Sequence, residues 1–298
     1  MATDSLTLST EVLELQLSPS VGGAISRLEH FGPNGRTPIL REGHSPLENV
    51  LDAPSFPLVP YVNRIRGGSF TFRGRTVTIQ PNMAGDPSPL HGDGWLNPWE
   101  VEQGDDSSAV LTYRHEPAEW PWAYEARQEY RLAGGVLEVR LSCRNLSDEV
   151  MPCGLGQHPY FPCTPETRLS TRVSHAWTVD ENVLPVEKVP ATGRYDLSDR
   201  QICGQDLDNG WCGWSGRTLI SDPGWPFEIE LSSSQARFFQ VYSPPGGGIF
   251  VAEPVSHANA ALNAPEAEWP ELGMRILEPG EEMQFDMRIE VRPVEPRG

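Results

Sequence analysis

Four short stretches of this sequence carry side chains suited to acid–base chemistry. His91 lies in Pro89-Leu90-His91-Gly92, followed by Gly94-Trp95 and Trp99, and His158 lies in Gly154-Leu155-Gly156-Gln157-His158-Pro159-Tyr160-Phe161. In both, glycine lets the backbone approach closely, proline fixes its direction and aromatic rings supply a flat apolar wall. Such surroundings can hold an imidazole still and leave one face for a ligand, although either residue alone reads more readily as a satisfied structural histidine. Arg64, in Tyr61-Val62-Asn63-Arg64-Ile65-Arg66-Gly67-Gly68, offers a planar fork of donors for adjacent hydroxyls or a carboxylate. A structural ion pair is its plainer role in an acidic chain. Glu253 ends the apolar run Ile249-Phe250-Val251-Ala252, with three glycines before it and Pro254 after. A carboxylate at a strand end beside apolar residues has the setting of a general base.

A metal site is the obvious rival for these residues, but not the expected one. Zinc or iron would need three or four ligands, typically spaced as His-x-His or His-x₃-His, and that spacing is absent from the sequence. No cofactor is expected. Cys143, Cys153, Cys163, Cys203 and Cys212 are odd in number and show no two-residue gap, which fits free thiols in a reducing cytoplasm. The formal net charge of −18 repels phosphate backbones and anionic lipid. Nucleic acid and membrane are therefore not expected partners, and a neutral small molecule is. No apolar run approaches the ~20 residues that span a bilayer, and the first residues carry no secretory pattern. The cytoplasm is the expected location, and the oligomeric state is not legible.

The elements that must position these groups are strands. Apolar and polar residues alternate through Leu13–Leu17, Leu137–Leu141 and Phe285–Val291, the period of a half-buried strand. Turn signals fall between them at Gly22-Gly23, Pro33-Asn34-Gly35, Gly67-Gly68, Arg73-Gly74, Gly134-Gly135 and Gly246-Gly247-Gly248. The stretch Gln128–Val139 reads as a hairpin closed around Gly134-Gly135. Helical periodicity is confined to short turns near Ser256–Ala261 and Pro265–Leu272. With 28 glycines and 29 prolines among 298 residues and no βαβ rhythm, the pattern predicts a single all-β domain over residues 1–298, a sandwich or barrel of antiparallel sheets.

Taken in order, Asn63-Arg64-Ile65, Gly74, Asn82, Leu90-His91-Gly92, Trp99, Gly156-x-His158-Pro159-Tyr160-Phe161 and Glu253-Pro254 resemble the aldose 1-epimerase (galactose mutarotase-like) family. The opening Leu17-Ser18-Pro19 and Gly22-Gly23-Ala24-Ile25 looks like that family's first hairpin, so the resemblance covers nearly the whole chain. It implies a large antiparallel β-sandwich, the supersandwich, and an isomerase that interconverts the anomers of a free aldose. It implies Glu253 as base at O1 and His158 as acid at the ring oxygen, with sugar hydroxyls held by His91, Arg64 and Asn63. The family's sugar-binding Asp before this Glu matches Asp208, with Asp206 as the alternative.

Trp95 and Trp211 are expected at the pocket wall because apolar sugar faces stack on indoles. His257 and Asn259 could also line it. The segment after Glu253 leaves the sugar's identity open, and a hexose 6-phosphate would need several arginines around its dianion, of which only Arg64 and Arg66 lie near the motifs. The other readings are a non-catalytic carbohydrate-binding protein on the same scaffold and a metal-dependent isomerase.

Overall fold

The computed structural model describes residues 5–32, 35–44 and 46–294. The turn expected at Pro33-Asn34 lies outside them. Two large sheets face each other. The nine-stranded one runs in the order Arg200–Gln201, Arg168–Thr171, Arg217–Ser221, Phe227–Ser232, Glu282–Pro293, Val136–Asn145, Tyr124–Ala133, Ser108–His115 and Glu100–Gly104. The other, of eight strands, runs Pro185–Pro190, His175–Val179, Leu207–Cys212, Phe238–Ser243, Ile249–Val255, Gly156–Gln157 and Pro57–Leu58, with Tyr160–Pro162 also paired to Ile249–Val255. Neighbouring strands in both are antiparallel. A four-stranded sheet from Leu6–Ser9 to Gly35–Pro38 and two small two-stranded sheets complete the architecture, an antiparallel β-sandwich, which is one of the two forms the pattern allows and the one the resemblance implies.

Alternation decides which face each residue takes. Leu137, Val139, Leu141, Met287 and Ile289 point from the nine-stranded sheet into the core, and Trp211, Phe239, Val241, Phe250 and Ala252 meet them from the eight-stranded sheet. The predicted hairpin is present, with Leu132 opposite Leu137 and Gly134 at φ 55° between them. One polar network crosses the core. Gln157 Nε2 donates to Gln128 Oε1 at 3.1 Å, Tyr130 Oη donates to the same oxygen at 2.7 Å, and Gln128 Nε2 donates to the Gly23 carbonyl at 2.9 Å. A buried network with its members satisfied fixes register where apolar packing alone would tolerate slippage. This one pins the residue just before His158 to the opposite sheet.

Helical structure is slight. A four-residue helix covers Trp269–Leu272, and single turns lie at Ala261–Asn263 and Glu266–Glu268. Of the helical turn expected at Ser256–Ala261, only Ala261 lies in one, and Ser256–Ala260 is irregular with bends and turns, because side chains and carbonyls there are committed to other segments, as described below. No helix among the described residues is long and apolar enough to cross a membrane.

Phe161 and Phe250 are fully buried and stack at 5.4 Å. They join the strand after His158 to the strand that carries Glu253. Phe250→Ala is expected to destabilise the fold by about 3–5 kcal/mol, the usual cost of emptying an aromatic core site, read as a lower midpoint in denaturant unfolding.

Candidate active site

On the eight-stranded sheet, the residues facing away from the core form cross-strand rows. Glu253 pairs with Gln240, and Gln240's strand pairs Gly210 with Gln240 and Asp208 with Tyr242. Directly opposed residues share a face, so Glu253, Gln240, Asp208 and Gly210 lie together although they come from three strands. Pro254 follows Glu253 without breaking the sheet, since the strand continues to Val255.

His158 approaches this face from the loop between Gly156–Gln157 and Tyr160–Pro162. Its Nε2 lies 2.8 Å from Glu253 Oε1. Its ring is packed between Phe56, stacked at 4.6 Å, and Tyr160 at 4.7 Å. Arg41 sits over the far face of that tyrosine, its guanidinium 3.7 Å from the ring centroid, and donates to the Ala53 carbonyl at 2.7 Å. Glu253 is 2% exposed, and Glu253 Oε2 and His158 Nδ1 are buried with no hydrogen-bond partner among the described residues. Burying such atoms costs free energy unless something polar meets them.

His91 stands edge-on to His158, 5.3 Å between centroids. Its backbone is left-handed at φ 60° and Gly92 follows at φ 71°. A Cβ on Gly92 would fall 2.0 Å from the Val59 carbonyl oxygen, so this position must be glycine. The Asn63 N–H donates to His91 Nδ1 at 3.1 Å, which leaves the proton on Nε2 in the neutral ring. Burial, with His158 and Arg64 nearby, holds the His91 pKa well below the ordinary histidine range. His91 is therefore a neutral donor. Beneath the loop, Asp93 accepts from Tyr113 Oη at 2.8 Å, lies 2.6 Å from His115 Nδ1 and accepts from Tyr124 Oη, which anchors it to the nine-stranded sheet.

Arg64 donates through Nε to Asp86 Oδ2 at 2.8 Å, and its terminal nitrogen stands 4.0 Å from Asp208 Oδ2. Gln240 Nε2 donates to the other Asp208 oxygen at 3.0 Å. Burial pushes the Asp208 pKa up against the pull of Arg64 and Gln240, and Glu253 adds to the rise.

The loop carrying Arg64 is suspended from side chains. Val62 N–H donates to His257 Nε2 at 3.0 Å, Arg64 N–H to Asn259 Oδ1 at 3.1 Å, and Arg66 N–H to Asn263 Oδ1 at 2.7 Å. His257 Nδ1 lies 2.8 Å from the Ala258 carbonyl, to which it donates. His257 and Asn259 thus hold the wall of the site from behind and do not line it.

The structure brings Glu253, His158, His91, Arg64 and Asp208 to one place. Asn63 joins through its backbone, which both donates to His91 Nδ1 and accepts from the His91 N–H. It is Asp208 that approaches Arg64; Asp206 is exposed at the strand's start. The two tryptophans are corrections. Trp211 is 0% exposed on the core face, its indole donating to the Tyr195 carbonyl at 2.9 Å. Trp95 is equally buried, stacked behind Phe56 at 5.3 Å and donating to the carbonyls of Leu90 and Gly92. Neither offers a face to a ligand. Gln240 was missed by the sequence reading, although a glutamine inside Phe238-Phe239-Gln240-Val241-Tyr242 is the signal that finds it. Asp86 and Phe56 gave none. Among the described residues, no three His, Cys, Asp or Glu side chains gather as a metal would require.

The chain is similar to known proteins along nearly its whole length. The aldose 1-epimerase family model matches residues 4–290. YphB of Escherichia coli K12, itself uncharacterised, is 33% identical over 296 residues, covering 96% of this chain and 98% of its own. A solved structure of a provisionally named aldose 1-epimerase from Escherichia coli K12 superposes with a TM-score of 0.88 at 32% identity, covering 97% of this chain and 99% of that one. A galactose mutarotase-like protein from Clostridium acetobutylicum shares the fold, with a TM-score of 0.84 at 17% identity over 97% and 95% of the two chains.

Burial lowers the His257 pKa to about 4, whereas a free histidine takes up its proton near ~6.5. Between these values the unfolded chain binds a proton that the folded chain refuses, so stability from this group is present above ~6.5 and falls by up to about 1.4 kcal/mol per pH unit toward 4. Denaturant midpoints measured at about pH 7 and about pH 5, either side of the free-histidine value, are expected to drop less in His257→Gln than in the parent. Equal drops would contradict this account of the loop.

Proposed function

The chain belongs to the aldose 1-epimerase family, and on that premise we propose that it interconverts the α and β anomers of a free aldose by acid–base opening and reclosure of the hemiacetal. The observation that carries this reading is the Glu253–His158 pair, 2.8 Å apart and buried beside an unpaired carboxylate oxygen. Opening a hemiacetal removes a proton from O1 and delivers one to the ring oxygen. Either transfer alone leaves a high-energy anion or oxonium, so a base and an acid acting together lower the barrier, each by roughly 10²–10⁴-fold in rate.

In this mechanism Glu253 takes the O1 proton while protonated His158 gives its proton to the ring oxygen, and the C1–O5 bond breaks to leave an aldehyde at C1. Rotation about C1–C2 presents the other carbonyl face. Reclosure reverses both transfers: His158 recovers its proton from the attacking hydroxyl and Glu253 returns one to the aldehyde oxygen. The Nε2 proton of His91 and the guanidinium of Arg64 stabilise negative charge as it develops on oxygen. Asp208, held by Gln240, accepts from sugar hydroxyls. An unphosphorylated sugar suits the site better than a phosphorylated one, because the nearby cations are already engaged. Arg64 pairs with Asp86, Arg66 lies 3.6 Å from Asp180, and Arg41 is taken up by carbonyls and Tyr160.

Purified protein is expected to speed the optical-rotation decay of freshly dissolved α-D-glucose or α-D-galactose beyond the buffer rate. Glu253→Gln, which keeps shape and loses proton affinity, is expected to lose about 10²-fold or more of that rate with unchanged thermal unfolding. A fully active Gln variant would refute the assignment, and no acceleration across a panel of aldoses would favour the non-catalytic binder.

A further inference from the structure

The row of residues that begins at Glu253 does not stop where one sugar ring would. Gln240 lies opposite Glu253 and Gly210 opposite Gln240. The next strand places Ala176 opposite Trp211, so Trp177 stands beside Gly210, and Lys188 follows opposite Trp177 on the edge strand. At the ~4.8 Å spacing of neighbouring strands, Trp177 is roughly 14 Å from Glu253 along this row. A pyranose from O1 to O4 spans little more than one such spacing. The face is therefore about two sugar rings long.

Its far half has the character of a binding surface. Gly210 is a gap in the floor: a Cβ there would meet Gln240 Oε1 at 2.9 Å and Trp177 Cε3 at 3.8 Å. Trp177 is half-buried, unlike Trp95 and Trp211, and its indole N–H has no acceptor among the described residues. Phe238 supports it from one side, 6.1 Å between centroids. Lys188 is exposed, and its ammonium lies 5.6 Å from the indole centroid. It is also the only lysine in the sequence. The hairpin that carries both is tied to the loop bearing Arg64, since Arg66 donates to the Pro185 carbonyl at 2.8 Å and Asn259 to the Val183 carbonyl at 2.8 Å. The outer wall is thus fixed relative to the acid–base pair before any ligand arrives.

We propose that Trp177, Gly210 and Lys188 form a second sugar subsite, which takes the non-reducing ring of a reducing disaccharide whose free anomeric carbon sits at Glu253 and His158. The apolar face of that second ring lies on the indole, over the gap left by Gly210, and the Lys188 ammonium donates to its hydroxyls. The inference rests on the proposed anomer exchange for its orientation, but not for its test.

Because Lys188 supplies the only side-chain amine, acetylation by an amine-reactive ester, followed by mass spectrometry of the Lys188 peptide, reads occupancy of the subsite directly. Maltose, cellobiose or lactose is expected to slow Lys188 acetylation at least threefold at concentrations where glucose and galactose leave it unchanged. Trp177→Ala is expected to abolish this protection, and Trp177→Phe to restore it in part. In polarimetry, Trp177→Ala is expected to raise the KM for the protecting disaccharide at least tenfold more than the KM for the monosaccharide, with kcat for the disaccharide within about threefold. Equal protection by monosaccharides, protection by none of the three disaccharides, or equal KM changes for both substrate classes would overturn the proposal. Absence of mutarotation with every sugar would instead defeat the catalytic reading, while the acetylation arm still decides whether the subsite exists.

Discussion

Everything in the site depends on one carboxylate kept almost dry beside one imidazole. Glu253 projects from the middle of a sheet, paired with Gln240 on one side and flanked on the other by the paired residues Val251 and Val255. His158 sits in a loop, where its N–H donates to the Phe56 carbonyl at 3.1 Å and its ring packs against Phe56 and Tyr160. The contact between them is a meeting of a rigid partner with a packed one, and neither has room to turn away. A buried carboxylate with an unpaired oxygen is unfavourable in isolation. That deficit is what a sugar hydroxyl would relieve on the proposed reading.

The surroundings apply the same logic at increasing distance. His91 is held by a backbone N–H that also sets its tautomer, Arg64 by Asp86, and Asp208 by Gln240. Behind these lie the acceptors that carry the Arg64 loop and the Asp93 cluster that carries the His91 loop. In a chain with a formal charge of −18, the guanidinium nearest the pair keeps its place through carboxylates of its own. The general acidity of the protein says little about the field at its centre.

Much of this was legible in the sequence, for physical reasons. Glycine at a left-handed or crowded position has no substitute, so Leu90-His91-Gly92 and the Gly156-to-Phe161 stretch stand out, and strand alternation exposed the sheets. The indoles were misplaced because aromatic character was weighed without strand parity. Asp208 and Trp211 are three positions apart on one strand and must face opposite ways; if the aspartate looks toward Glu253, the tryptophan cannot. Trp95 was misplaced for another reason: a tight turn folds its indole back onto the loop's own carbonyls, which no periodicity records. Asp86 and Phe56 come from loops whose course is set by tertiary packing alone.

The suspended loop has an evolutionary corollary. Val62, Arg64 and Arg66 hang from His257, Asn259 and Asn263, three pegs spaced along the few residues that follow Glu253. Inserting or deleting one residue among the pegs would shift every attachment beyond it and carry the guanidinium out of place. That stretch should keep a constant length among descendants that retain the proposed chemistry.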